Sequence, residues 1–364
     1  MRRACSNRWQ RRIVLLSLLV RAALPGVLLA EPPGGAPEGG SIEAPGAVLE
    51  KLHERTAPIH GGLSEGPAAA PDGSIYFSDI PQGSDRGMIL RFDPATGKTT
   101  VFTDNSHKSN GLAFDSAGRL VSCEGADGGA RAIARWDIKT GKRTVLVDRY
   151  QGKRFNSPND LCLDAADRIY FTDPRYVGDE PLELKQRAVY RLDTAGKLIE
   201  ITHDVTMPNG IAISPDGRTL YVAETSPAVE ANADKPARAA VMRIYAFGLD
   251  EHGLVAGKRR TFHDFGKRLG CDGMTVDTDG NLYLATRDPS WPSVLVLAPD
   301  GQELARISTY AEQDRKTVRA GRQPNLPSNV EFGVGDDANS LYMTIDTGLY
   351  RTRLTKRGFR WPTK

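Results

Sequence analysis

Six oxygen-bearing side chains recur at matching positions along the chain and could together hold a metal ion. They are Glu65, Asn110, Asn159, Asn209, Asp272 and Asn329. Carboxylate and amide oxygens are hard ligands, which favour Ca²⁺, Mg²⁺ or Mn²⁺ over Zn²⁺. Two carboxylates would balance a divalent charge, and Ca²⁺ accepts irregular coordination by several neutral oxygens. The pattern therefore predicts one divalent cation, with Ca²⁺ as the first choice and Mg²⁺, Mn²⁺ or Zn²⁺ as alternatives.

A second interpretation of the same six positions involves no metal. A buried polar side chain without a partner costs about 1–3 kcal/mol, so these groups need water, one another or a cation. A water-filled channel through a binding scaffold would meet that need as well. The repeat alone leaves both interpretations open.

The elements that must position these residues are short β-strands. Each of the six residues begins a unit with a short apolar stretch, a turn rich in Asp and Gly, and a second apolar run. The units start 45, 49, 50, 63 and 57 residues apart. Alternation such as Leu161/Leu163 and Ile169/Phe171 has the period of two that is typical of a strand. The turn residues accept the backbone of a hairpin, so each unit predicts two antiparallel strands.

A second hairpin often follows the first, which makes a sheet of four strands. One such sheet cannot bury both of its faces, so six of them are expected to stack radially. The sequence therefore predicts an all-β fold, a six-bladed β-propeller with four-stranded antiparallel blades. The first strand of each blade would line the central channel and bring the six polar positions into a ring.

The N-terminal part of the chain differs from the repeats. Residues 1–30 hold six Arg and an apolar stretch, and they are predicted to be a secretory signal peptide. Residues 31–50, rich in Gly, Pro and Ala, are predicted to be a flexible linker, and residues 51–364 form the propeller. We therefore expect an exported protein, periplasmic or secreted, with no stable membrane span after signal removal. Residues 226–240 lengthen the fourth unit and predict either a lid or an inert surface loop.

Charge bears on the expected partners. Without residues 1–30 the chain keeps 42 basic and 45 acidic residues, a formal charge of −3. No basic run is interleaved with aromatic residues, so a nucleic-acid partner is not expected. The sequence predicts a monomer that acts on a small molecule.

Several motifs resemble the SMP-30/gluconolactonase/LRE family. They are residues 155–161 (FNSPNDL) and 171–176 (FTDPRY), with 64–67 (SEGP), 207–210 (MPNG) and 271–274 (CDGM) as further matches. The resemblance runs from about residue 55 to 354. It implies a six-bladed propeller that holds a divalent metal in its channel and hydrolyses lactones.

Carried over motif by motif, the resemblance implies four metal ligands: Glu65, Asn159, Asn209 and Asp272. Asp272 would also act as general base or nucleophile, and Asn110 would lie beside the metal, near the substrate. One departure stands out: many bacterial gluconolactonase-like members carry Cys-Glu-His where this chain has Cys-Glu-Gly, ending at Gly125.

Four further residues lie on segments expected to reach the channel mouth, where they could bind a polar substrate. They are Arg175, Tyr176, Arg287 and Trp291. A surface or packing role is the alternative for each of them.

The predicted function is a calcium-dependent lactone hydrolase of the gluconolactonase type. The alternatives are a catalytically silent ligand-binding propeller and a metal-dependent phosphotriesterase or broad lactonase. Residues 62–66 (GLSEG) match the nucleophile elbow of serine hydrolases, but Pro67 and the turn at residues 71–73 preclude the helix that this motif requires.

Overall fold

The chain is built almost entirely of β-strands. The computed structural model describes residues 41–56, 62–83, 85–228, 238–310 and 325–362. Within these ranges the strands form six four-stranded antiparallel sheets and one two-stranded hairpin. The predicted all-β propeller with six blades is therefore confirmed.

The strands are numbered in chain order and take four positions in the blades. The innermost strands are β2 (Leu63–Ala69), β6 (Ser109–Phe114), β12 (Leu161–Leu163), β16 (Pro208–Ile213), β20 (Cys271–Val276) and β24 (Pro327–Phe332). The second strands are β3 (Ile75–Ile80), β7 (Leu120–Glu124), β13 (Ile169–Asp173), β17 (Thr219–Ser226), β21 (Leu282–Thr286) and β25 (Ser340–Ile345). The third strands are β4 (Met88–Asp93), β8 (Ala132–Trp136), β14 (Ala188–Leu192), β18 (Val241–Leu249), β22 (Ser293–Leu297) and β26 (Gly348–Arg353). The outer strands are β5 (Lys98–Thr103), β9 (Arg143–Val147), β15 (Leu198–Thr202), β19 (Val255–Asp264), β23 (Glu303–Ser308) and β1 (Glu50–Glu54).

Two small elements complete the described part of the chain. A hairpin is formed by β10 (Arg149–Tyr150) and β11 (Lys153–Arg154), and a 3₁₀ turn spans Gly335–Asp337. No membrane-spanning helix is found in the ranges given above.

The two ends of the described chain meet in the sixth blade. Its order is β1-β26-β25-β24, so the N-terminal strand is the outer strand of the last blade. Within β1 and β26, Glu50 pairs with Arg351 and Glu54 with Gly348. A closed ring of blades needs such a contact because only full closure removes its free edges.

The expected linker needs a correction at its C-terminal end. Residues 41–50 lie on the propeller rather than apart from it, because Ile42 is buried in the core between blades 5 and 6. The Ile42 carbonyl accepts a hydrogen bond from the amide of Thr355 at 2.9 Å. The predicted signal peptide, the first part of the linker and most of the 226–240 loop lie outside the described residues.

The hydrophobic core is divided among the interfaces between neighbouring blades. Each of the six buried apolar clusters combines residues of two adjacent blades. Between blades 2 and 3, for example, Phe155, Phe171 and Tyr190 pack with ring centroids 5.3–5.4 Å apart. Apolar burial at about 25 cal/mol per Å² makes these interfaces the main stabilising contribution. They hold the inner strands in fixed positions around the channel.

Candidate functional site

A β-bulge near the start of each inner strand presents the predicted ligands. Asn209 and Gly210 of β16 both lie opposite a single residue of the neighbouring strand β17, Ala223. The same two-against-one arrangement occurs in β6, β20 and β24. In β2 the bulge comes one residue later, because Glu65 pairs with Ser78 and the next two residues, Gly66 and Pro67, lie opposite Phe77. Ahead of β12, Asn159 and Asp160 share one partner through backbone hydrogen bonds. The extra residue of a bulge bends the strand and changes the direction in which its side chain points. Polar side chains at a bulge therefore do not follow the alternation of apolar residues along the strand.

The first residue of the bulge in blades 2 to 6, together with Glu65 at the equivalent position of β2, defines the ring. Its members are Glu65, Asn110, Asn159, Asn209, Asp272 and Ser328. Five were predicted, and the sixth corrects the sequence alignment by one residue. Asn329 pairs with Thr344 as the second residue of its bulge. The Ser328 hydroxyl donates to the carbonyl of Ser64 at 2.6 Å and so joins blades 6 and 1.

The residue that follows each ring residue forms a floor beneath the ring. It is glycine in four blades, at Gly66, Gly111, Gly210 and Gly273. The exceptions are Asp160 in blade 3 and Asn329 in blade 6, which are joined by a side-chain hydrogen bond. Blades 3 and 6 are opposite one another in a ring of six, so this hydrogen bond crosses the channel.

The glycines of the floor make room for that pair. A Cβ atom at Gly111 would lie 2.4 Å from Oδ1 of Asp160. One at Gly273 would lie 2.0 Å from Cγ of Asn329. Since no side chain fits at either position, the repeated X-Gly pairs reflect close packing around the channel. At the two positions where the sequence departs from X-Gly, the side chains of Asp160 and Asn329 fill the channel.

Three carboxyl groups are crowded together at the ring and its floor. Glu65 is 4% exposed. Burial is the main reason that its pKa lies well above the ordinary value, and repulsion from Asp272 and Asp160 adds to it. Burial likewise raises the pKa of Asp160 to about 7. Like charges in a poorly solvated site disfavour ionisation, and a bound cation would reverse that effect.

This donor set fits a hard divalent cation. Glu65, Asn159, Asn209 and Asp272 would hold it, and two carboxylates would neutralise its charge. Within the described ranges, no group of three or more His, Cys, Asp and Glu side chains is arranged to bind a metal. The predicted set is of a different kind, because half of its ligands are amides.

Asp272 has two partners of its own. The Asn209 side chain is hydrogen-bonded to it, and Nε of Arg287 lies 3.6 Å from its Oδ2. Burial raises the pKa of Asp272, while Arg287 and Asn209 act in the opposite direction. Nη1 of Arg287 donates to the carbonyl of Leu326 at 3.2 Å, which fixes the guanidinium. The structure thus brings Arg287 to the site, as the sequence predicted.

Tyr176 borders the same site. Its hydroxyl donates to the carbonyl of Met207 at 3.1 Å, next to the strand that carries Asn209. Burial raises its pKa, and the charge of Asp272 is the next cause. Asn110 occupies its ring position, with its carbonyl accepting a hydrogen bond from the Ser78 hydroxyl at 2.8 Å.

Arg175 is committed to its own loop. Its side chain is 7% exposed, and Nε donates to the carbonyl of Asn156 at 2.8 Å. Nη1 donates to the carbonyls of Gly178 and Glu180 at 3.2 and 2.9 Å. These hydrogen bonds give Arg175 a structural role in its loop, while its Nη2 atom is buried without a hydrogen-bond partner in the described part of the chain. A contact of Arg175 with substrate stays a prediction.

Two acids at the ends of second strands hold the loops that lead into the ring. Asp173 accepts hydrogen bonds from the amides of Asn156 and Ser157 at 2.8 and 2.7 Å. Glu224 accepts from the amides of residues 206–207 at 2.6 and 3.0 Å. Glu224 was not among the residues that the sequence predicted for the site. Asp173 and Glu224 occupy equivalent positions near the end of the second strand in blades 3 and 4. This repetition was the sequence signal that could have identified both acids.

Comparison with known proteins gives a consistent result. Residues 63–347 match the sequence profile described as the SMP-30/Gluconolactonase/LRE-like region. A gluconolactonase of Zymomonas mobilis is 33% identical over 269 residues, which cover 67% of this chain and 69% of the relative. A pentonolactonase of Haloferax volcanii is 29% identical over 296 residues, with coverages of 79% and 82%.

A solved structure agrees with these sequence relatives. The gluconolactonase from Xanthomonas campestris superposes with a TM-score of 0.67 at 29% identity. The match covers 89% of this chain and 99% of that structure. The similarity therefore extends over nearly the whole propeller.

Proposed function

The chain belongs to the SMP-30/Gluconolactonase/LRE-like family, and from that premise we propose that it hydrolyses sugar lactones with the help of one divalent cation, Ca²⁺. The observation that carries the proposal is the crowding of Glu65, Asp160 and Asp272 in a buried ring of oxygen donors. Such a set is costly without an opposing charge. The names of the lactonase relatives support the substrate class.

The proposed chemistry combines a bound cation with one base. Held by Glu65, Asn159, Asn209 and Asp272, the cation would polarise the lactone carbonyl and stabilise its developing negative charge. Asp272 takes a proton from a water molecule, whose oxygen attacks the carbonyl carbon. The ring C–O bond then breaks, and the released alkoxide oxygen takes up a proton to give the hydroxy acid. Direct attack by the Asp272 carboxylate is the second route.

Other groups of the chain orient this base and border its substrate. Ligation of a cation would lower the pKa of Asp272 and keep it ionised at neutral pH, against the effect of burial. The Asn209 hydrogen bond and the Arg287 guanidinium limit the orientations of its carboxylate. Tyr176 and Asn110 flank the position of the substrate.

The proposal is tested by a pH-stat assay on purified protein without residues 1–30. The substrates are D-glucono-δ-lactone, a phosphotriester and an aryl ester, each assayed with Ca²⁺ and with EDTA. We expect lactone hydrolysis that EDTA abolishes and Ca²⁺ restores. Full activity in metal-free protein would exclude the scheme.

The same assay separates the alternatives. Turnover of the phosphotriester alone would identify a phosphotriesterase, and no turnover of any substrate would favour a silent binding propeller. Export and a monomeric state stay predictions.

A further inference from the structure

Residues 355–362 follow the last strand of blade 6 and cross the end of the propeller opposite the ring. The ring residues lie near the start of the inner strands, whereas this segment contacts the residues at which several of those strands end. Gly358 forms an isolated bridge with Asp277 of blade 5. Its amide donates to the carbonyl of Ala338 of blade 6 at 2.8 Å. From these two turns the chain continues over the end of the channel.

Arg360 holds the last residues of two inner strands. Its Nη1 atom donates to the carbonyl of Ala69, where β2 ends, at 3.1 Å. Its Nη2 atom donates to the carbonyl of Phe332, where β24 ends, at 3.3 Å. The same Nη2 atom lies 3.6 Å from Oε1 of Glu331. Arg360 therefore joins blades 6 and 1, and the neighbouring carboxylate favours this orientation of its guanidinium.

Phe359 and Trp361 hold the last residues of two more inner strands. The amide of Phe359 donates to the carbonyl of Val276, where β20 ends, at 3.0 Å. Nε1 of Trp361 donates to the carbonyl of Leu163, where β12 ends, at 2.9 Å. The two rings pack edge to face with centroids 4.8 Å apart, against the cores between blades 4 and 5 and between blades 3 and 4. We call residues 358–361 the strap.

The strap also forms part of the wall of a cavity beneath the floor. The cavity has a volume of about 470 Å³ and is lined by inner-strand residues of all six blades together with Phe359, Arg360 and Trp361. The free thiol of Cys162 lines it as well. A glycine lets the strap approach so closely, because a Cβ atom at Gly358 would lie 2.1 Å from Cβ of Phe332.

The strands that the strap holds carry most of the proposed ligands. Glu65 belongs to β2, Asp272 to β20, and Asn159 lies two residues before β12. These strands are only three to seven residues long, so a shift at one end reaches the other. Ca²⁺ takes its oxygen ligands at about 2.3–2.6 Å, and its affinity therefore depends on how well the ligand spacing is held.

We propose that the strap sets the positions of the inner strands, and that Arg360 and Trp361 thereby act as positioning residues for the cation ring. The inference rests on the proposed cation site and gives residues at the opposite end of the channel a part in holding the ion. Loss of one strap hydrogen bond relaxes the spacing of the ligands and weakens the binding of Ca²⁺. Both residues act through the strands and not by contact with the ion.

Calorimetric titration with CaCl₂ of the protein without residues 1–30 measures this effect. Trp361→Phe keeps an aromatic ring in the strap but removes the hydrogen bond to Leu163. It should raise the dissociation constant of Ca²⁺ about two- to tenfold. Trp136→Phe is the matched control, because it removes an indole hydrogen bond of the same 2.9 Å length to the Ser122 hydroxyl, within blade 2. The control should leave the dissociation constant unchanged.

Arginine variants test the second contact. Arg360→Gln should raise the dissociation constant by a similar factor. Arg360→Lys should restore part of the affinity, because its ammonium group keeps the charge beside Glu331 but cannot form both backbone hydrogen bonds of the guanidinium. Lys356→Gln is the control on the same segment, since Lys356 pairs with Asp279 at a partly exposed turn.

Urea unfolding of the same variants separates positioning from general loss of stability. Trp136→Phe and Trp361→Phe should lose comparable free energy of unfolding, while only the strap variant loses affinity for Ca²⁺. Equal rises of the dissociation constant in these two variants would overturn the inference. An unchanged constant in both Trp361→Phe and Arg360→Gln would overturn it as well.

The thiol of Cys162 gives a readout that needs no metal. The other two cysteines of the protein without residues 1–30, Cys123 and Cys271, are buried, and Cys162→Ser gives the background rate. With DTNB in EDTA, Trp361→Phe should raise the rate of modification of Cys162 about two- to tenfold, because the wall of the cavity opens more often. Trp136→Phe should react at the rate of the parent.

The two measurements keep this inference separate from the proposed function. If the parent binds Ca²⁺ but the strap variants match it in affinity and thiol rate, the positioning role is wrong and the cation site stands. If the parent binds no Ca²⁺ while Trp361→Phe exposes Cys162, the proposed cation site fails and the strap still fixes the inner strands. Equal thiol rates in that case would overturn the strap too.

Discussion

The ring places its carboxyl groups where burial disfavours their ionised form. Glu65 and Asp272 both have a raised pKa because burial removes them from water. Asn209 and Arg287 stabilise the charged form of Asp272. Among the residues that the structure describes, the charge of Arg287 also opposes the burial of Glu65, but no ion pair with Glu65 is found there. A divalent ion would supply that opposing charge, so the proposed metal dependence would affect the stability of the protein as well as its rate.

The role of Asp272 can be isolated by one substitution. Asp272→Asn keeps the size of the side chain and its hydrogen bond to Asn209 but removes the proton acceptor. We expect kcat for lactone hydrolysis to fall by about 10²–10⁴-fold, the usual contribution of a general base. Initial rates in the pH-stat measure this, with circular dichroism to verify the fold. Asp300→Asn, at an exposed turn of the same blade, is the control, and parent-like turnover of Asp272→Asn would remove the residue from the mechanism.

Substitution of Glu65 should have opposite effects on the stability of the protein with and without the cation. Glu65→Gln removes a buried negative charge, so in EDTA at pH 8 the variant should unfold at a higher urea concentration than the parent. The parent should gain about 2.7 kcal/mol when Ca²⁺ is raised to a hundred times its dissociation constant, and the variant should gain less than half of that. Urea unfolding curves in EDTA and in Ca²⁺ measure both effects. An equal gain in the two proteins would exclude Glu65 as a ligand.

At the scale of elements, acidic residues on second strands fix the loops before the inner strands. Asp173 and Glu224 each accept two consecutive backbone amides. The bulges then turn the following ring residues toward the channel. This device positions the proposed ligands Asn159 and Asn209 without help from the ion.

The raised pKa of Asp173 leads to a prediction about how the stability of the protein depends on pH. Burial raises the pKa of this carboxyl group from its ordinary value of 3.8 to about 7. The folded state therefore takes up a proton between about pH 4 and pH 7, so this group's contribution to stability falls as pH rises through that window and is constant above it. Asp173→Asn lacks this dependence and cannot accept both amides, which costs about 1–3 kcal/mol.

The experiment compares unfolding free energies at pH 5, 6, 7 and 8. The gap between the parent and Asp173→Asn should be widest at pH 5 and should narrow toward pH 7. Asp193→Asn serves as control because it also caps backbone amides, but at an outer turn. A gap that is the same at every pH would contradict the raised pKa.

At the scale of the whole molecule, the ring depends on a contact between the two ends of the described chain. β1 is the outer strand of blade 6, and Ile42 is buried between blades 5 and 6. The inner strands keep their places only while all six interfaces persist. Closure and site geometry are therefore linked.

Truncation tests this link. Removal of residues 1–54 should lower the free energy of unfolding by at least about 3 kcal/mol, because it deletes a ladder and buried apolar surface. Lactone hydrolysis should decline with it. Removal of residues 1–40 keeps β1 and Ile42 and is the matched control. Thermal unfolding measures the effect, and equal midpoints for the two truncations would show that β1 does not close the ring.

The sequence by itself determined the fold class, the six blades and five of the six ring positions. Strand alternation and Asp/Gly turns are local properties, and a repeat carries them six times over. The motifs around Asn159, Asn209 and Asp272 also led to the family. In blade 6, side-chain type alone led to Asn329, because the bulge that makes Ser328 the ring residue depends on pairing with β25.

Only the tertiary structure decided which residues distant in sequence lie close together. The hydrogen bond between Asp160 and Asn329 joins opposite blades, and the strand that closes blade 6 comes from the other end of the chain. The hydrogen bonds that join Arg175 to its loop also depend on folded neighbours. These are contacts between residues distant in sequence, and no local period or propensity encodes them.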